Sequence, residues 1–94
     1  MTSTADQSRL QLVVSHAAAG DPDAAGDVAS TIMDKVIAAE AWRVVSQVNA
    51  NMQRFVAAVS SLDIAMQHDP GSRILQLERA LLLERSGRAR YQRR

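Results

Sequence analysis

The side chains able to do acid–base, nucleophilic or metal chemistry are few in this sequence and poorly spaced for it. His16 and His68 are its only imidazoles, 52 positions apart, with no cluster of acids beside either. A metal site or an acid–base pair would need folding to join them with further ligands, so both are expected as surface or capping residues. Ser15-His16 is plain adjacency, because a nucleophile and its base need a mutual geometry that neighbouring positions do not supply. Asp21, Asp23, Gly26 and Asp27 gather oxygen ligands in the manner of a calcium loop, but Ala25 and Ile32 stand where further ligands are required. Helix capping accounts for these aspartates better. There is no glycine-rich phosphate loop, and with no cysteine there is no thiol nucleophile, disulfide or thiolate-bound metal. The expectation is a protein that is not an enzyme and has no cofactor, metal or small-molecule substrate.

Size bounds what else the chain can be. Ninety-four residues make a single small domain, and 47% of them are hydrophobic, which suits a folded chain. Sixteen of those are alanine and three are aromatic, so the apolar burial rests on a small set of larger side chains. A thin helical array, an oligomer or the N-terminal part of a longer array fits this composition better than an enzyme with a deep pocket. The start, Met1 to Asp6, has no basic segment, and the first apolar run, Leu10 to Val14, is too short for a signal peptide. No stretch approaches 18 uninterrupted apolar residues, so no membrane span is expected and a cytoplasmic protein is.

The elements are expected to be helices throughout. The composition is rich in Ala, Leu, Gln, Arg and Met, and no run alternates at period two. A first helix is expected over about 5–19, stopped by Gly20, with Asp21 and Pro22 opening the next. A final helix is expected from Ser72 to Ser86, with Gly87 as a stop. Between Gly26 and Pro70 neither Gly nor Pro occurs, and Met33, Ile37, Ala41, Val44, Val48, Met52, Phe55, Val59, Leu62 and Met66 recur at spacings of three and four. Residues 27–69 thus form either one helix, about 60 Å long and suited to a long-helix coiled-coil dimer, or a hairpin broken at 49–51 or 53–54.

An internal repeat favours the hairpin. A shift of 34 residues aligns Val14, Val48 and Leu82, and also Leu10 with Val44, Ala24 with Ala58, and Val28 with Leu62. The units would span about 5–38, 39–72 and 73–86, all in one helical domain over 1–86. Trp42, Val45, Ser46, Ala58, Leu62, Ala65 and Pro70 make the middle unit resemble a tetratricopeptide repeat; Ala80, Leu83 and Gly87 extend the resemblance, as does the Gly20–Ala25 turn with Val28. Asn49, Gln53 and Leu62 depart from the family's usual Tyr, Gly and aromatic. The resemblance implies antiparallel helix–turn–helix units whose stacked faces bind protein segments. On this reading Ser46, Ala58, Ala65 and Ala80 allow close helix approach, Trp42, Phe55 and Leu62 fill between units, and the methionines of the stripe are core.

The last helix carries the functional expectation. Ile74, Leu77 and Leu81 share one face, Leu75 and Leu82 lie about 100° away, and Leu83 points nearly opposite. That arc is too wide for a helix covered on one side, so these six residues are expected to bind a partner segment or a second copy of the chain. Charge is divided as well: residues 1–84 hold ten acids and six bases, while Arg85, Arg88, Arg90, Arg93 and Arg94 stand without an acid in 85–94. The basic tail, 87–94, would give a preference for acidic partners. The alternative is a small nucleic-acid-binding protein using that tail, with only Tyr91 to stack on a base.

Overall fold

The computed structural model describes residues 4–92, and every regular element among them is an α-helix: α1 (Thr4–Ala18), α2 (Pro22–Ala29), α3 (Lys35–Asn51), α4 (Phe55–His68) and α5 (Arg73–Gln92). Local chemistry sets the boundaries. Gly20 closes α1 in the left-handed region, at φ 75°. Its N–H donates to the Ala17 carbonyl (3.0 Å) and that of Asp21 to His16 (2.9 Å), which is a Schellman motif. Asp21 then caps α2, its carboxylate accepting from the Ala24 N–H at 3.1 Å, and Pro22 occupies the first turn, where no N–H is needed. The Ser30 and Thr31 hydroxyls donate back to the carbonyls of Asp27 and Val28 and close this short helix. Asp34 caps α3 through the Ile37 N–H, and Ser72 caps α5 through that of Leu75.

Residues 27–69 do not form one rod. The chain reverses at Met52-Gln53-Arg54, where Gln53 takes the left-handed conformation at φ 61°. The Gln53 N–H donates to Ala50 and the Arg54 N–H to Asn49, repeating the motif of Gly20 without a glycine. α3 and α4 therefore fold back on each other as a hairpin, and the long helix needed for a coiled-coil dimer does not form. Starts of α1, α3 and α5 fall 31 and 38 residues apart, and those of α2 and α4 33 apart. One further expectation is corrected. The last helix passes through Gly87 to Gln92; glycine inside a helix costs about 1 kcal/mol relative to alanine, offset here by helix-forming neighbours and the Glu84–Arg88 pair one turn apart.

Packing is centred on α3, which buries nine of its seventeen residues. One hydrophobic cluster joins it to α1 and α2 through Val13, Ala25, Ala29, Ile37, Ala41 and Val45. A second lies around Ala50, Ala58, Leu62, Ala65, Leu75 and Leu82, between the end of α3, α4 and α5. Trp42 packs against both. Ser46, Ala58 and Ala65 are buried where helices meet, whereas Ala80 is exposed, on a side of α5 that no described helix covers. Met33 and Met52 also leave the expected stripe: they fall in the α2–α3 loop and at the end of α3, and both are exposed. The array is flat, 50 × 30 × 14 Å. No helix among the described residues is long and apolar enough to cross a membrane.

A buried acid ties α1 to the α2–α3 loop. Asp6 accepts from the Asp34 N–H at 2.9 Å and from the Arg9 guanidinium at 3.0 Å. The Asp34 N–H contributes most, and Arg9 and the Met33 N–H add to it; together they outweigh the opposing effect of burial and hold the Asp6 carboxyl below the usual carboxylate range.

Two predictions follow from these joints. Gln53→Gly relieves a left-handed L-residue, worth about 1–2 kcal/mol, against the extra chain entropy of glycine, about 0.5–1 kcal/mol. Urea unfolding should show the variant more stable by up to about 1 kcal/mol. For Asp6, a depressed folded pKa means its stabilisation is complete above the unfolded value, near 3.9, and is lost as pH falls through the folded value. Thermal unfolding should thus show the wild type losing stability in acid below about pH 4. Asp6→Asn should start lower and lose less over the same range.

Candidate protein-binding surface

The position of α5 determines which apolar residues remain in solvent. It lies against α4 through Leu75 and Leu82, 4% and 6% exposed. The Arg79–Asp63 ion pair (2.7 Å) fixes the same side, and the Arg85 guanidinium sits 5.4 Å from the centre of the Phe55 ring. Toward α3 the tie is polar: the Arg43 guanidinium meets the Glu78 carboxylate at 2.6 Å, with Glu40 at 3.8 Å on its other flank.

Ile74, Leu77 and Leu81 lie on the adjoining face, one to two turns apart, and the first two are 60% and 61% exposed. Leu83, on the opposite flank of α5, is exposed too. The six apolar residues expected to bind a partner therefore divide. Leu75 and Leu82 are taken up by the core, because the helix turns that face to α4, and Ile74, Leu77 and Leu81 form the open stripe, with Leu83 apart from it.

A furrow runs between α3 and α5, in two sections on either side of the Arg43–Glu78 bridge. The first, of about 410 Å³, brings Leu10 of α1 together with Val36 and Ile37 of α3 and Ile74 of α5. The second, of about 400 Å³, is lined by Ser46, Gln47 and Asn51 of α3 and by Leu81, Arg85 and Arg88 of α5. Apolar side chains thus alternate with hydroxyl, amide, guanidinium and carboxylate groups, the last from Glu40, Asp69, Glu78 and Glu84, along one surface. Such a lining suits an amphipathic protein segment, with apolar side chains to bury and polar groups to pair.

Two of the basic residues of 85–94 have partners within the chain. Arg88 pairs with Glu84, and Arg85 is held over Phe55. Arg90 belongs to the last turn of α5, and Arg93 and Arg94 lie outside the described residues. His16 and His68 sit in the last turns of α1 and α4. Among the described residues no group of three His, Asp or Glu side chains is placed to hold a metal ion. Sequence reasoning missed the Arg43–Glu78 bridge; the signal was an opposite-charge pair 35 residues apart, close to one repeat length. No protein-family model matches the chain, and no characterised protein or solved structure matches it.

Proposed function

We propose that this chain is a non-catalytic protein-interaction module, a tetratricopeptide-like helical array that binds a partner segment or a second copy of itself along the α3–α5 furrow. The observation that carries this reading is the open stripe of Ile74, Leu77 and Leu81 beside a furrow of mixed apolar and polar lining. Large apolar side chains aligned on one helix face, next to a concave surface, are characteristic of docking sites. The array itself supports the repeat reading at the middle unit. Val45, Ser46, Ala58, Leu62 and Ala65 are all buried, and Pro70 follows the end of α4. Arg85 and Arg88 at one end of the furrow stand beside Glu78 and Glu84, so a partner there meets charges of both signs. Their engagement with Phe55 and Glu84 favours a protein partner over a phosphate backbone.

Replacing Leu77 and Leu81 together by Glu tests the stripe without touching the core. Wild-type chain is expected to bind a dye that reports exposed apolar surface and to gain mass with concentration in light scattering. The double variant should lose both while keeping its circular dichroism. A wild type that stays strictly monomeric and binds no dye would overturn the proposal.

A further inference from the structure

The open side of α5 carries a pattern that its partner has to match. Ile74, Leu77 and Leu81 are followed, at the same alternating steps of three and four, by Glu84 and Arg88, and all five residues are exposed. That spacing makes a seam along which one helix packs lengthwise on another. Ala80 flanks the seam on the side that no described helix covers, and its small side chain lets a neighbouring helix come close. Across the furrow Val36 of α3 is 78% exposed and lines the same section as Ile74. A helix laid along the seam would cover both.

The order of charges decides which helix that is. Asp69, in the turn before α5, and Arg73, in its first turn, are exposed and make no ion pair among the described residues. Glu84 and Arg88, further along, pair with each other. Along the open side the sequence of groups is therefore acid, base, apolar stretch, acid, base, with four residues between the members of each charged pair. Two copies of α5 running in the same direction would set Arg73, Glu84 and Arg88 each against its own like. Reversed, the pattern complements itself. With Leu77 of each copy against Leu81 of the other, Arg73 comes close to Glu84 of the second copy and the Asp69 turn comes beside its Arg88. Each contact then occurs twice, as a two-fold interface requires.

We propose that the partner of the α3–α5 surface is a second copy of this chain, the two α5 helices packing antiparallel along Ile74, Leu77 and Leu81 about a two-fold axis beside Ala80. This rests on the reading of that surface as a docking site and commits it to one occupant. A contact of two helices falls at the small end of specific interfaces, so the dimer forms and dissociates with concentration.

The chain has no cysteine, so single-cysteine variants report the arrangement. Ala80→Cys and Gly87→Cys both lie at exposed positions of α5, two turns apart on one face, and a Cβ at Gly87 meets nothing. Each would be treated with a short bismaleimide at a concentration where light scattering shows a dimer. Ala80→Cys should give a covalent dimer and Gly87→Cys little, because only position 80 lies beside the axis. Arg73→Glu should raise the dissociation constant about fivefold, as the loss of two exposed charge pairs would. Equal cross-linking of the two cysteine variants, none in Ala80→Cys, or an unchanged dissociation constant for Arg73→Glu would each overturn the proposal. A wild type that stays monomeric yet binds the apolar-surface dye would overturn it alone and leave the docking surface to another protein; one that does neither would overturn both readings.

Discussion

Trp42 is the joint on which this small array depends. Two hydrophobic clusters, each built largely from alanine and valine or leucine, would be marginal alone, since alanine contributes little apolar area. One indole packed against both makes them parts of a single structure. α2 passes beside the indole at Gly26, where even a Cβ would stand in ordinary van der Waals contact with it, at 3.8 Å. The consequence for α3 is burial over a wide arc, with α1 and α2 on one side and α4 on the other. No other helix of the array is enclosed to the same degree.

The opposite condition holds at α5. Leu75 and Leu82 fasten one side of it, and the Arg43–Glu78 bridge steadies a second without burying apolar surface. The rest of its apolar arc stays in water. In stacked helical arrays each unit leaves a face for a neighbour to cover, and the functional reading follows from that physical incompleteness.

Legibility of the sequence followed the locality of the physics. Gly20, Asp21-Pro22 and Ser72 announce helix ends by their own conformational or hydrogen-bonding preference, and the structure uses each in that way. The hairpin at Gln53 was legible only as one of two alternatives, because a left-handed glutamine carries no mark in its identity. Met33 and Met52 kept the periodicity of a stripe although the helix they implied is interrupted on either side of α3. The width of the apolar arc on α5 was readable, but which part of it would be buried was set by α4, a partner distant in sequence.

The central claim is that α3 is held from both sides through Trp42 while α5 is held from one. Amide hydrogen exchange on the full chain, at a dilution where light scattering gives a monomer, measures this directly. The account predicts the slowest exchange along α3 and the facing part of α4, with α5 opening at lower free energy and before the rest. Protection of α5 equal to that of α3 in the monomer would contradict it.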